Sequence, residues 1–477
     1  MAEGMNHSAP CESKKESSSC PRTLRFCALT LVLWPLVTVT GLRPGLALGA
    51  APAATSEARW LKGNLHTHSL WSDGDDYPEM IVDWYRSHGY QFLALSDHNV
   101  IQEGPRWFEI KPPAVIAGEI VQRGGGEVWQ KYLARFGTDW VEQRESGGKK
   151  EVRLKPLAEY RSLFEEAGKF LMVPSEEITS TWKKEKTATT PEQGGPVHMN
   201  VTNPREFIAP APGDNAVEIM QKTVDAVGAQ RERTGQPMFL HLNHPNFVWG
   251  ITAEELMRIK GEKFFEVYNG HPGVNNGGDA TRLSTDAIWD VILTRRLTEL
   301  GLEVVYGIGV DDSHHYQKIG LGKSNSGRGW VMVRAKHLTV ESIIAAMEAG
   351  DFYASSGVTL RDVQREPRRL TVEIQPESGV TYVTQFIGTR RGYDPQSEIM
   401  PPEKVAGALP RSLPHRRYSR DVGAVLAEVK GASAAYVLKG DEIYVRAKII
   451  SSKPKVNGSV ANEFETAWTQ PVVNAAK

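Results

Sequence analysis

Residues 63–99 read GNLHTHSLWSDGDDYPEMIVDWYRSHGYQFLALSDHN, and this stretch decides the fold class. Its first apolar segment ends in a cluster of polar residues. A helical pattern follows, with Ile81, Trp84 and Tyr85 on one face, and the pattern stops at Gly89. The run YQFLALSDHN then predicts a buried strand that also finishes in polar residues. Strand, helix and strand in this order predict two parallel strands joined by a right-handed crossover.

The same alternation continues along the chain. Strands are expected at residues 169–177, 237–245, 263–270 and 302–314, and helices at 158–168, 215–232 and 285–301. Each apolar run finishes in polar groups, and the active sites of α/β barrels collect at the C-terminal ends of the strands. A barrel is favoured over an open doubly wound sheet, because no Gly-rich nucleotide loop follows the first strand.

The N-terminal residues have the layout of a secretory leader. A basic flank precedes the apolar run FCALTLVLWPLVTVTGL, and the small-residue segment ALGAAPAA follows it. The sequence predicts a signal peptide and linker over residues 1–53, hence an exported, periplasmic or secreted protein with no stable membrane span after leader removal. An uncleaved N-terminal membrane anchor is the alternative. All three cysteines precede residue 30, so the processed chain would hold metals only through histidine and carboxylate.

The remaining chain is expected to form two domains. Residues 54–364 carry the barrel pattern, and residues 365–477 show strand-like alternation without a long helix, which predicts a small C-terminal antiparallel β-domain. Residues 104–153 and 180–196 interrupt the alternation. We expect both to be insertions at strand ends, the second of them a mobile loop.

The charge of the chain argues for a small-molecule substrate. The formal net charge is −1 over 477 residues, whereas a protein that binds nucleic acid by counterion release normally has a basic surplus. The sequence therefore carries no nucleic-acid-binding signature, and it leaves the oligomeric state open.

Histidines and carboxylates gather at the predicted strand ends. His66 and His68 lie two residues apart, so that both imidazoles point to the same face of a strand end. The candidate metal ligands are His66, His68, Asp73, His98, Glu177, His198, His244, Asp312 and His314. Imidazole and carboxylate together suit zinc, manganese or iron. Nine ligands exceed the needs of one tetrahedral ion, so two or three divalent ions are expected.

Three of these positions have a competitor of the same residue type. Glu176 competes with Glu177, Asp311 with Asp312, and His241 with His244. The DxH spacing to His314 favours Asp312. Asp97 is expected to orient a metal-bound histidine rather than to bind a metal itself. His271 and His315 are candidates for substrate contact or proton delivery, with the role of ordinary polar loop residues as the alternative.

The ordered motifs resemble the PHP family (polymerase and histidinol phosphatase domain). NLHTHSLWSDG is similar to the first motif of that family, ALSDHN to the second, VPSEEIT to the third and GIGVDDSHH to the last. The resemblance covers roughly residues 60–360 and implies a distorted (β/α)7 barrel with up to three metal ions. It favours Glu177, because Ile178 and Thr179 follow it as in the family. The stretches WSDGDDYPEM and LALSDHN resemble the exported group that includes carbaryl hydrolases.

The resemblance also implies how the ligands divide among the ions. One ion would be held by His66, His68, Glu177 and Asp312, a second by Glu177 with His198 and His244, and a third by Asp73, His98 and His314.

The expected activity is hydrolysis by a hydroxide that bridges the cations. A phosphomonoesterase or phosphodiesterase is the first hypothesis. A carboxyl-ester, carbamate or amide hydrolase with the same metal centre is the alternative, which Trp182, Phe247 and Trp249 near the ligand segments favour slightly. A non-catalytic envelope- or polysaccharide-binding protein is the third hypothesis. The complete ligand set argues against it.

Overall fold

The helices of the protein follow the predicted alternation. The computed structural model describes residues 57–116, 119–189, 192–400, 410 and 413–474, so the predicted leader at residues 1–53 lies outside the described residues. The helices are α1 (Pro78–Ser87), α2 (Glu127–Phe136), α3 (Leu157–Phe164), α4 (Ala216–Thr234), α5 (Ala253–Leu256), α6 (Thr285–Arg295, continued by a π-helical turn at Arg296–Leu300) and α7 (Val340–Glu348). In these ranges, none of the helices combines the length and the apolar character that a membrane crossing requires.

Local signals explain where the helices begin and end. The Asn215 side chain accepts a hydrogen bond from the backbone N–H of Glu218 and thereby caps α4, which ends at Gly235 in the left-handed conformation. Ser284 caps α6 in the same way, through the N–H of Ala287. The predicted helices at 215–232 and 285–301 therefore have nearly the observed bounds.

The strands fall into a long N-terminal and a long C-terminal series. The first series comprises β1 (Arg59–Asn64), β2 (Phe92–Leu95), β3 (Arg106–Glu109), β4 (Ala114–Ile116), β5 (Glu119–Val121), β6 (Gln143–Ser146), β7 (Lys149–Leu154), β8 (Leu171–Lys184), β9 (Gln193–Thr202), β10 (Phe239–Leu242), β11 (Phe264–Asn269), β12 (Tyr306–Val310), β13 (Trp330–Ala335) and β14 (Phe352–Ser355). The second comprises β15 (Leu360–Glu366), β16 (Arg369–Ile374), β17 (Tyr382–Arg390), β18 (Ser397–Ile399), β19 (Arg416–Tyr418), β20 (Ala424–Lys430), β21 (Ser433–Val437), β22 (Glu442–Pro454), β23 (Phe464–Thr469) and β24 (Val472–Val473).

One large mixed sheet organises the molecule. Its strand order is β12-β11-β10-β9-β8-β2-β1-β13-β14-β23-β22-β17-β20, and β24 pairs with β22. β1, β2 and β8 are parallel, as are β10, β11 and β12, which confirms the predicted parallel strands. β9 is antiparallel to both of its neighbours, β8 and β10.

The predicted distorted (β/α)7 barrel is not confirmed. Among the described residues the main sheet runs from β12 to β20 without closing into a ring, and the two edges of β1 are occupied by β2 and β13. Beyond the strand ends the two segments still meet, because the N–H of Asp312 donates to the carbonyl of His66 and the N–H of His68 donates to the carbonyl of Ser313, both at 3.0 Å. The segments that follow β1 and β12, which both carry candidate ligands, are thereby joined directly.

The two predicted insertions differ in character. Residues 104–153 contain α2, the hairpin β4-β5 and a three-stranded sheet in the order β3-β7-β6. The expectation of a mobile loop over residues 180–196 was wrong at both ends of this segment, which belong to strands. β8 extends to Lys184 and β9 begins at Gln193, and the two strands pair as far as these residues.

The C-terminal strands are antiparallel, as predicted. β15, β16 and β21 form a separate three-stranded sheet and β18 pairs with β19, whereas β23 pairs with β14 and thereby continues the main sheet into β22, β17 and β20. Tyr444 and Trp468 from these strands are buried in the same apolar cluster as Ile288 and Trp289 of α6. A distinct C-terminal domain beginning at residue 365 is therefore not confirmed.

Candidate metal centre

Six strands of the main sheet bring the candidate ligands together, four of them at their ends and two from within the strand. β1 leads into His66 and His68, β2 into His98, β10 into His244, and β12 into Asp312 and His314, while Glu177 and His198 lie within β8 and β9. Asp73 comes from the loop that follows β1. All nine predicted ligands lie in groups of imidazole and carboxylate atoms whose members are within 4.8 Å of one another. Asp312 has a positive φ of 50°, a conformation that only strong local constraints maintain in a non-glycine residue.

Four donor atoms form the innermost group. Nε2 of His66 lies 3.1 Å from Nε2 of His68 and 3.4 Å from Oε2 of Glu177. Oδ1 of Asp312 is 3.3 Å from both of these imidazole nitrogens, and the distance from Nε2 of His68 to Oε2 of Glu177 is 3.2 Å. Tetrahedral bonds of about 2.0–2.2 Å put neighbouring donor atoms about 3.3–3.6 Å apart. These five distances are close to that range, and His66, His68 and Asp312 make up one group able to hold a cation.

A second group surrounds the other oxygen of Glu177. Oε1 of Glu177 lies 3.1 Å from Nδ1 of His198 and 3.5 Å from Nε2 of His244. Oε1 also accepts a hydrogen bond from Nδ2 of Asn243 at 2.8 Å, whereas in the described ranges the buried Oε2 of Glu177 and Nδ1 of His198 have no hydrogen-bond partner of acceptable geometry. Buried polar atoms that converge without hydrogen bonding to each other are the arrangement expected of metal ligands.

Asp73 is the centre of a third group. Its carboxylate lies 3.5 Å from Nε2 of His98, 3.3 Å from Nε2 of His314 and 3.4 Å from Nδ1 of His68. The side chain of Asp73 is 52% exposed, whereas Glu177 is 1% exposed. The third group is therefore where the cluster opens to solvent.

The electrostatics of the cluster favour a cation. Burial would raise the pKa of Glu177 and Asp312, but the surrounding histidines outweigh it and hold both values well below their usual range. Burial would lower the pKa of His66 and His68, yet the same carboxylates raise both to about 10. The ionised carboxylates thus need positive charge beside them, which a divalent cation supplies while the histidines stay neutral.

The three competing residues face other partners. Oε2 of Glu176 accepts a hydrogen bond from the N–H of Ile208 at 3.1 Å, away from the cluster. Asp311 accepts backbone hydrogen bonds from residues 327–329. His241 lies in a group with His66 and Glu266 instead of the groups around Glu177. The geometry therefore favours Glu177, Asp312 and His244 as ligands.

Asp97 does not orient a histidine directly, contrary to the expectation. Its carboxylate accepts hydrogen bonds from the N–H of Ser69 at 2.8 Å, from Oγ of Ser72 at 2.6 Å and from Nε2 of Gln102 at 2.6 Å. Ser72 in turn lies 3.3 Å from Nδ1 of His68. Asp97 thus fixes the loop that follows His66 and His68, and this loop folds back over the end of β2.

His271 and His315 lie beside the cluster as neutral side chains. The ring of His271 is 5.5 Å from that of His314, and its Nδ1 accepts the N–H of Gly273 at 3.0 Å. Nδ1 of His315 accepts the N–H of Ser324 at 3.2 Å. Burial lowers the pKa of each imidazole to about 4. Each ring therefore carries its proton on Nε2 and can donate one hydrogen bond, and the predicted roles in substrate contact or proton delivery stay predictions.

Glu266 is a buried residue of the site that the sequence prediction missed. It lies in β11, and its Oε1 is 2.7 Å from Nδ1 of His66 and 3.2 Å from Nε2 of His241. Histidine partners lower the pKa of Glu266 to about 2 against the opposing effect of burial. A carboxylate inside the apolar run KFFEVYNG was the available signal, since a buried charge requires a partner.

These features define a mixed α/β protein with a buried histidine and carboxylate cluster able to hold metal ions. No family model matches the sequence, and no curated protein matches it significantly. Among the solved structures that match is a two-domain protein from Bacteroides vulgatus ATCC 8482, described as containing a predicted PHP-like metal-dependent phosphoesterase. The two chains are 13% identical over 87% of this chain and 95% of that one, with a TM-score of 0.33.

Proposed function

We propose that the protein is an exported, metal-dependent phosphoesterase of the PHP type, with two or three divalent ions held by the nine candidate ligands. One observation carries the proposal: Glu177 offers one oxygen to His66 and His68 and the other to His198 and His244. A carboxylate shared in this way can bridge two cations. The order of the ligand motifs along the chain supports the PHP type.

Divalent cations bound at such a site acidify water and neutralise negative charge on a substrate oxygen. The side chains of the protein position the ligands and the substrate. The ligands converge at the strand ends, and the carboxylate of Glu266 fixes the ring of His66. Nε2 of His271 and of His315 can donate hydrogen bonds to a substrate beside Asp73 and His314.

A carboxyl-ester, carbamate or amide hydrolase is the second candidate function. It is supported by Phe247, whose ring lies 5.1 Å from that of His244, 6.1 Å from that of His198 and 5.7 Å from that of His271. An aromatic ring at this position would suit an aryl leaving group. Trp182 gives no such support, since it is 1% exposed within the apolar core.

The test is a substrate screen with metal-reconstituted protein. Phenyl phosphate, bis-p-nitrophenyl phosphate, p-nitrophenyl acetate and an aryl carbamate are compared for the wild type and for His66→Ala and Asp312→Ala. We expect hydrolysis of a phosphate ester, with a loss of at least about 1,000-fold in kcat/KM in both variants, as for removal of a group essential to the transition state.

The matched control is His337→Ala, which removes an exposed histidine outside the cluster. It should retain full activity. Unchanged hydrolysis in His66→Ala or Asp312→Ala would refute the proposed site. Hydrolysis of the carbamate or acetate without that of any phosphate ester would replace the proposed function with the second candidate.

A further inference from the structure

A small cavity opens beside the exposed end of the metal cluster. Its volume is about 280 Å³, and Asp73 and His314 form one wall. The other lining residues are Asp75, Gln122, Arg123, Glu127, Val128, Lys131, His315, Gln317, Lys318 and Lys323. The cavity is smaller than the roughly 300–1,000 Å³ pockets of drug-sized ligands, so it would accept only a small organic group.

The walls of this cavity are rich in cationic side chains. Besides Asp73, the lining includes the basic side chains of Arg123, Lys131, Lys318 and Lys323 and the carboxylates of Asp75 and Glu127. Basic side chains in the lining thus outnumber these two carboxylates by two, and Lys318 and Lys323 also have partners of their own. Arg123 and Lys131 donate hydrogen bonds to neutral oxygens. Nε of Arg123 donates to the carbonyl of Gly74 at 3.0 Å, and Nζ of Lys131 donates to Oε1 of Gln317 at 3.2 Å.

The insertion at residues 104–153 builds this side of the site. Trp129 and Tyr132 of α2 pack in one apolar cluster with Trp71 and Tyr77, which flank the loop that carries Asp73. Lys131 is exposed on the same helix. The insertion therefore anchors the loop of the third ligand group and contributes basic side chains next to it.

We infer that this basic pocket binds a negatively charged group on the leaving alcohol of the substrate, while the scissile phosphate lies at the metal cluster. The inference rests on the proposed phosphoesterase activity and specifies its substrate class. Phosphate esters whose alcohol carries a carboxylate or a second phosphate should be preferred over esters of uncharged alcohols. Electrostatic complementarity of this kind discriminates between partners of similar size and shape.

The test compares substrates of similar shape in the full metal-loaded protein. The probes are phenyl phosphate, 4-carboxyphenyl phosphate and 1,4-phenylene bisphosphate. The variant Lys131→Gln/Lys318→Gln removes two charges from the pocket, and Lys222→Gln removes one from the exposed face of α4 as a control. In the double variant kcat/KM for the two charged substrates should fall about tenfold, with less than about twofold change for phenyl phosphate.

Binding of two non-hydrolysable analogues separates this inference from the proposed function. Calorimetry measures the affinity of 4-carboxyphenylphosphonate and of phenylphosphonate for the same proteins. If no phosphate ester is cleaved but the wild type prefers the charged phosphonate and the double variant loses that preference, the pocket stands and the proposed activity fails.

The inference would be overturned if the double variant lost kcat/KM and affinity equally for charged and uncharged probes. It would also be overturned if neither quantity changed for either kind of probe. A preference for only one of the two charged substrates would identify the group, carboxylate or phosphate, that the pocket recognises. Lys222→Gln should leave all rates and affinities as in the wild type.

Discussion

Glu266 holds the imidazole of His66 from the side opposite the candidate metal. Its Oε2 accepts hydrogen bonds from the backbone N–H of His244 and from the side-chain amide of Asn269, both at 2.8 Å. These bonds fix the position of the carboxylate itself. Since Oε1 accepts from Nδ1 of His66 at 2.7 Å, the lone pair on Nε2 points toward Glu177 and Asp312. A carboxylate in this position sets both the tautomer and the direction of a ligand histidine.

We therefore predict that Glu266→Gln weakens metal binding by about 10–100-fold, because partners of this kind contribute about that much to affinity. Competition with a chelator of known affinity measures the effect. Glu262→Gln is the matched control, since Glu262 is also buried but accepts its hydrogen bonds from backbone N–H groups. Equal metal affinity in Glu266→Gln and wild type would show that Glu266 does not position His66.

The buried carboxyl group of Glu262 allows a test of how the free energy of unfolding depends on pH. Burial raises its pKa to about 8 from an ordinary value near 4.5. Between these values the folded protein keeps a proton that the unfolded chain releases, so this group lowers the free energy of unfolding as the pH rises. We expect Glu262→Gln to flatten the decline between pH 5 and pH 8, as measured by denaturant unfolding at several pH values. Parallel curves for variant and wild type would contradict this.

At the residue scale, the sequence predicted which histidines and carboxylates lie together better than which residues support them, and metal binding by the nine stays a prediction. The motif spacing placed all nine candidate ligands in one cluster. The role of Asp97 could not be predicted, because it depends on Ser69 and Ser72 folding back over the next strand. Contacts that arise from tertiary packing leave no periodic pattern in the sequence.

At the scale of elements, local pattern predicted the parallel strands and missed β9. The first residues of this strand include Gly194, Gly195 and Pro196, which are typical of loops. These residues nevertheless pair with Thr181, Trp182 and Lys183 of β8. Pairing between neighbouring strands overrides weak intrinsic preferences in a sheet, so a prediction from composition alone assigned a loop here.

The contact between α6 and β22 depends on a buried ion pair. Nε and Nη2 of Arg446 lie 2.8 and 2.7 Å from the carboxylate of Asp290, and both side chains are buried. Arg446→Met leaves Asp290 without its cation, so the free energy of unfolding should fall by about 3–5 kcal/mol. Urea unfolding measures the change. Arg446→Met/Asp290→Leu should recover most of the loss, and a double variant as unstable as the single one would contradict the explanation.

At the scale of the whole molecule, the C-terminal part of the chain contacts segments beside the metal cluster as well as extending the sheet. The buried side chain of Arg328 donates hydrogen bonds to the carbonyls of Gly270 at 2.8 Å and Asn457 at 3.0 Å. Gly270 precedes His271, and Asn457 lies in the C-terminal part of the chain. The predicted boundary at residue 365 thus divides segments that hold each other in place.

We predict that a chain ending at residue 364 does not fold. It would expose the edge of β14, which pairs with β23, and it would uncover Trp289, which packs with Tyr444 and Trp468. An unpaired edge strand beside exposed apolar side chains promotes aggregation. Expression of residues 54–364 and of 54–474, compared by solubility and circular dichroism, tests this: a soluble, cooperatively unfolding 54–364 fragment would show that the N-terminal segment is an independent domain after all.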